Sequence, residues 1–206
     1  MCVSDVLFDL CGVLVDWQPR RALLGEVPAE IVDDLMAGDD RCGFMYFDDL
    51  LDGGMPLEEM LAFFEREHGR EYAEVLRLYY ARLEHSIVGY VDGMRELLVE
   101  LRSSGVRCWG LTNWSRDGFP AFSRRLPDLG ELLEGIVVSG VEGVKKPEPA
   151  IYRLCAERFG LDPRRTVFFD DNQFNVDAAS CEGFLAEPFI DAAHARLALR
   201  SRGVGV

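Results

Sequence analysis

Four short apolar runs, each closing on a polar residue, constrain the fold of this chain more than any other feature. They are Val6-Leu-Phe-Asp9, Val106-Arg-Cys-Trp-Gly-Leu-Thr112, Gly135-Ile-Val-Val-Ser139 and Thr166-Val-Phe-Phe-Asp170. Apolar runs of this length that lack regular polar alternation read as strands covered on both faces. A fifth, shorter strand is expected between Gly183 and Phe189. Helical patterns over 94–104, 149–159 and 174–182 lie among them, stopped by Gly105, Gly160 and Gly183. Strands and helices alternating at this spacing predict an α/β fold built on a doubly wound parallel sheet.

The stretch 17–90 breaks the alternation. It reads as several amphipathic helices, including 57–68 and 72–83, with no strand. Inserted directly after the first strand, it would stand above the carboxyl ends of the sheet, where open α/β sheets bind ligands. The expected division is a core of residues 1–16 and 91–206 with a helical cap of 17–90. The tail 201–206 is expected to be a frayed end.

A chain of 206 residues, 49% apolar, can bury one sizeable core plus a modest insertion. Its formal charge of -14 argues against generic binding to nucleic acid or anionic membranes, because the long-range field repels phosphates. An anionic substrate must then be held by local positive charge. No stretch approaches the roughly 20 apolar residues of a membrane span. The opening run is interrupted by Asp9 and has no basic segment before it, so a signal peptide is not expected. Cys2, Cys11, Cys42, Cys108, Cys155 and Cys181 form no CxxC pair and no zinc spacing. They read as reduced thiols of a cytoplasmic protein.

Chemistry concentrates at the strand ends. Asp9, Thr112 and the pair Asp170-Asp171 fall there, and Lys146 heads the helix between the third and fourth runs. A parallel sheet brings all these ends to one edge. A carboxylate nucleophile, a hydroxyl, a lysine and two further acids make a site for phosphoryl transfer. Asp9 would attack phosphorus, Thr112 and Lys146 would bind the equatorial oxygens, and Mg²⁺ would offset the gathered carboxylates.

Phe8-Asp-Leu-Cys-Gly-Val13, Leu111-Thr-Asn113, Lys146-Pro-Glu-Pro149 and Phe169-Asp-Asp-Asn172 resemble, in order, the four motifs of the haloacid dehalogenase (HAD) superfamily of hydrolases. The resemblance runs over nearly the whole chain, toward the branch of sugar-phosphate phosphatases and 2-haloacid dehalogenases. It implies a Rossmann-like core with a substrate-gating helical cap inserted after motif one. It also implies Asp9 as nucleophile, Thr112, Asn113 and Lys146 as phosphate binders, and Mg²⁺ held by Asp9, Asp170, Asp171 and the backbone carbonyl of Cys11. Arg20 opens the cap and is a further candidate for binding the substrate, a small phosphorylated metabolite.

One departure stands out. Phosphatases of the family usually carry a second Asp two residues after the nucleophile, as acid for the leaving group, and here that residue is Cys11. Two other readings follow from it: a 2-haloacid dehalogenase, and a degenerate domain that binds a phosphorylated ligand without turnover. Motif four separates the first, since displacing halide at carbon needs no metal, whereas Asp9, Asp170 and Asp171 without a cation would repel one another. Retention of Asp9 weighs against the second.

Several residues also have plain readings. Asp170-Asp171 would cap a helix, Lys145 would be solvated, and Asn175 would orient Asp171 or cap. Trp17, Trp109 and Trp114 would be core or pocket walls.

Overall fold

The computed structural model of the chain describes residues 3–206, so Cys2 lies outside it. From the amino end the chain forms β1 (Asp5–Phe8) and β2 (Val15–Trp17), then α1 (Ala29–Leu35), α2 (Phe44–Asp52), α3 (Leu57–His68) and α4 (Arg70–Ala81). It continues through β3 (Ile87–Tyr90), α5 (Met94–Ser103), β4 (Arg107–Thr112), α6 (Pro120–Arg125) and α7 (Leu129–Leu132). Next come β5 (Ile136–Val138), α8 (Ser139–Glu142), α9 (Pro149–Phe159), β6 (Thr166–Asp170), α10 (Gln173–Cys181), β7 (Leu185–Pro188) and α11 (Ala192–Ser201).

The five expected strands form one parallel sheet in the order β5-β4-β1-β6-β7. Chain direction across the sheet reverses between β1 and β6, the switch point at which open α/β sheets leave a crevice. Period-two alternation sends Val6, Phe8, Cys108, Val167 and Phe169 into one apolar layer, with Leu97, Leu101 and Leu199 from α5 and α11. Leu7, Trp109, Leu111 and Phe168 point into the other, against Ile151 and Tyr152 of α9. Both faces are covered, which is why the runs show no polar alternation. Phe168 is fully buried, and cutting it to Ala would cost about 3–5 kcal/mol.

The far end of the sheet carries a structural charge. Buried Asp5 pairs with Arg107 at 2.7 Å and accepts from Trp109 Nε1 at 2.9 Å. The glycine stops behave as expected: Gly160 closes α9 in the left-handed region, at φ 60° and ψ 43°.

Two expectations need correction. The segment 17–90 is not free of strands, because β3 pairs antiparallel with β2, Val15 opposite Tyr90, as a two-stranded ribbon where the chain leaves and re-enters the sheet domain. Strands of three and four residues paired across some 70 positions have no local periodic signature. The tail is also not frayed: Val204 is buried, and the Gly205 carbonyl accepts from Ser104 Oγ at 3.1 Å.

Candidate active site

Asp9 follows the last residue of β1, Thr112 ends β4 and Asp170 ends β6, on the three central strands of the sheet. Parallel pairing alone therefore brings together residues up to 161 positions apart. Lys146, in the loop before α9, completes the group. Its Nζ lies 2.8 Å from Asp9 Oδ1 and 2.6 Å from Asp170 Oδ2, with 1% of the side chain exposed.

A buried ion cluster persists only where the remaining polar atoms are also satisfied. Asp170 Oδ1 accepts from the Asn172 backbone N–H at 2.9 Å and from Asn175 Nδ2 at 3.0 Å. Lys146 is fixed by Asn113, whose Oδ1 accepts from the Lys146 N–H at 2.8 Å while its Nδ2 donates to the Lys146 carbonyl at 2.9 Å. Asp9 Oδ1 takes a second bond from the Leu10 N–H at 2.7 Å. Asp9 Oδ2 has no hydrogen-bond partner among the described residues.

The loop after β1 wraps closely around this group. The Leu10 carbonyl accepts from the N–H groups of Val13, Leu14 and Val15. Gly12 adopts φ +84°, and a Cβ there would sit 2.3 Å from Asp171 Oδ2, so only glycine fits. One carboxylate oxygen from each of Asp9, Asp170 and Asp171 falls within 4.8 Å of the others. The Cys11 carbonyl accepts no hydrogen bond among the described residues.

Electrostatics follow from the crowding. Burial, with Asp170 and Asp171, pushes Asp9 up to about 7 against the opposing pull of Lys146. Burial and Asp170 likewise raise Asp171. Burial alone would depress the Lys146 ammonium, but Asp9 and Asp170 outweigh it and raise it above the ordinary lysine value. Three acids against one lysine leave excess negative charge among hard oxygen donors, a donor set that suits Mg²⁺.

The remaining candidates are placed as follows. Thr112 is buried, and among the described residues its hydroxyl has only a long, 3.4 Å contact to the Asn113 carbonyl. Asn113 spends its amide on Lys146. Arg20 lies away from the strand edge, where it pairs with Asp33 and lines a cavity of about 620 Å³ with Trp17, Leu24, Met36 and Phe44. Trp17 meets Trp114 edge-on at 5.4 Å, which joins that cavity wall to the chain just after Asn113.

Three plain readings change. Asn172, not the acids before it, caps α10, accepting from the Phe174 N–H at 3.0 Å. Asn175 serves Asp170 rather than Asp171. Lys145 is not merely solvated, since it pairs with Asp49 of α2 at 2.5 Å. The acids of α2 went unnoticed in the sequence; their spacing 48, 49, 52 marks a common helix face but not what that face meets.

A family model described as haloacid dehalogenase-like hydrolase matches residues 6–183. The chain is 30% identical over 195 residues to the Phosphatase MT3486 of Mycobacterium tuberculosis, covering 90% of this chain and 87% of that protein. It is 27% identical over 190 residues to a Phosphorylated carbohydrates phosphatase of Thermotoga maritima, covering 88% and 82%. Among solved structures, the fold matches the HAD family enzyme bt-2542 from Bacteroides thetaiotaomicron, in complex with magnesium and inorganic phosphate. That match has a TM-score of 0.70 and 19% identity and covers 94% of this chain and 98% of the other.

Proposed function

The chain belongs to the haloacid dehalogenase-like hydrolases, and on that premise we propose that it is a magnesium-dependent phosphatase of small phosphomonoesters. The observation that carries the reading is the cluster of Asp9, Asp170 and Asp171 around a single buried lysine. The two phosphatases similar along most of the chain support it, as does the neighbour solved with magnesium and phosphate.

Asp9, Asp170, Asp171 and the Cys11 carbonyl would hold the ion. Mg²⁺ there offsets the negative charge that a phosphate dianion would otherwise meet. Asp9 Oδ2 attacks phosphorus and forms an aspartyl-phosphate, which water then hydrolyses. Lys146 holds Asp9 Oδ1, leaves Oδ2 unengaged and, with the Thr112 hydroxyl, receives the equatorial oxygens. Asn113 positions Lys146 through its backbone. Asn175 positions Asp170.

Residues 1–16 and 91–206 act as the catalytic core and 17–90 as the cap, with the β2–β3 ribbon as the hinge between them. The cavity beside Trp17 and Arg20 is where the cap would read the organic part of a phosphorylated metabolite. The described cysteines Cys11, Cys42, Cys108, Cys155 and Cys181 are free, which supports a cytoplasmic setting. No helix among the described residues is long and apolar enough to cross a membrane.

The test is phosphate release from an aryl phosphate. Activity is expected with Mg²⁺, to vanish with a chelator, and to be abolished by Asp9→Asn while the circular dichroism spectrum is kept, because an amide is nearly isosteric but a poor nucleophile. Halide release from a 2-haloacid, undiminished by chelation, would replace this reading with a dehalogenase.

A further inference from the structure

The strand edge offers no good donor for the departing oxygen of a phosphate ester. Cys11 stands two residues after Asp9 and carries a thiol where a leaving-group acid would be a carboxyl group.

The cap brings another acid to the loop that leads into Lys146. α2 ends on Asp52, and its last turn is fastened to the core. Lys145 Nζ donates to the Asp49 carbonyl at 3.2 Å as well as pairing with its carboxylate. The Leu51 carbonyl approaches Gly140 so closely that a Cβ on that glycine would lie 2.9 Å from it, and one on Gly54 would lie 3.3 Å from Gly143 Cα. Lys145 adjoins Lys146, which touches Asp9. The end of α2 is thus held over the loop that carries the site lysine.

Asp48, Asp49 and Asp52 share one face of α2, and two of them are occupied. Asp49 is taken by Lys145, and Asp48 accepts from Tyr80 Oη of α4 at 2.8 Å. Asp52 has no side-chain hydrogen bond or ion pair among the described residues. The charged and titratable groups around it are Asp48 and Asp49 on its own helix, Lys145 and Lys146 from the core loop, Tyr80 from α4, and Cys11. Burial first, then Asp48 and Asp49, raise Asp52 to about 8 against both lysines. That shift favours the protonated carboxyl form.

From this juxtaposition we propose that Asp52 is the general acid that protonates the leaving oxygen, supplying from the cap the carboxyl group absent at position 11. The role rests on the phosphatase reading. As the bond from Asp9 Oδ2 to phosphorus forms, the bond from phosphorus to the ester oxygen breaks. Its electron pair stays on that oxygen, which takes the proton of Asp52. A water oxygen then bonds to phosphorus, the bond to Asp9 breaks, and the water proton returns to the Asp52 carboxylate. Water is the one co-reactant, and Asp52 ends protonated as it began. The acid is in place only while α2 is seated on the core, so proton donation requires a docked cap.

The test compares Asp52→Asn with the parent, both with Mg²⁺, on an alkyl phosphate and on para-nitrophenyl phosphate. On the alkyl ester kcat/KM is expected to fall by roughly 10²–10⁴-fold, the size of general acid catalysis. The fall on the nitrophenyl ester should be much smaller, since that group departs without a proton. Adding Cys11→Asp to Asp52→Asn should return alkyl-ester turnover, a rescue that a structural role would not show. Equal falls on both esters, or undiminished alkyl turnover, would overturn the proposal. Phosphate release from neither ester by the parent, or full activity in Asp9→Asn, would instead remove the phosphatase reading and this role with it.

Discussion

Gly12 and Asp171 are in such close contact that a single methyl group on Gly12 would lie 2.3 Å from Asp171 Oδ2. Gly12→Ala is therefore expected to act twice. It places a side chain at φ +84°, costing about 1–2 kcal/mol, and it displaces Asp171, raising the Mg²⁺ concentration needed for half-maximal activity. A double-mutant cycle with Asp171→Ala checks the cause. The two losses should be clearly less than additive, and simple additivity would show that the contact is not what matters.

Lys146→Met leaves Asp9 and Asp170 facing each other without their shared cation. Removing one partner from a buried ion cluster costs about 3–5 kcal/mol, most of it from the charge left behind. Chemical denaturation should show this loss, and saturating Mg²⁺ should recover part of it by binding only the folded state. A variant as stable as the parent would mean that the lysine is not compensating these acids.

Asn175→Ala takes from Asp170 one of the two donors on its Oδ1. Leaving a buried acceptor short costs about 1–3 kcal/mol, and on the proposal that Asp170 holds Mg²⁺, loosening it weakens metal affinity by roughly 10–100-fold. Mg²⁺ titrations of kcat/KM should show the shift, with kcat at saturating Mg²⁺ affected less than the half-saturation point. Unchanged Mg²⁺ dependence would confine Asn175 to a structural role.

Asp52 should also make the fold pH-sensitive. Its folded value of about 8 lies above the ordinary 3.8, so below about pH 4 both states are protonated and its stability contribution is complete. As pH rises toward 8 the unfolded chain ionises while the native carboxyl does not, and stability falls. Asp52→Asn should then match the parent near pH 3.5 and exceed it at pH 8. Partial exposure and coupling to Asp48 reduce the gain to on the order of 1 kcal/mol, about 2–4 °C in Tm. A thermal melt series that shows no pH-dependent difference would contradict a raised Asp52 carboxyl.

Much of the site was legible in the order of residues. Runs such as Thr166–Asp170 declare a two-faced buried strand, and parallel strands all present the same end, so Asp9, Thr112 and Asp170 had to meet wherever their strands were neighbours. Asn113 and Asn175 were visible as residues but not as partners. A hydrogen bond to the Lys146 backbone or to Asp170 depends on loop paths that no periodicity encodes.

What the sequence determined by itself was local: which stretches bury both faces, which glycines end helices, which acids close strands. Tertiary structure alone decided that Lys145 reaches Asp49, that β2 finds β3, that Val204 packs inward and that the Leu51 carbonyl at the end of α2 comes up against Gly140. Helical spacing shows that residues 48, 49 and 52 share a face, whereas what that face meets depends on contacts between segments some 95 residues apart. Those contacts are set by the packing of α2 on the loops after β4 and β5, a balance of burial, charge and backbone approach at Gly140 and Gly54 that exists only once these segments have folded.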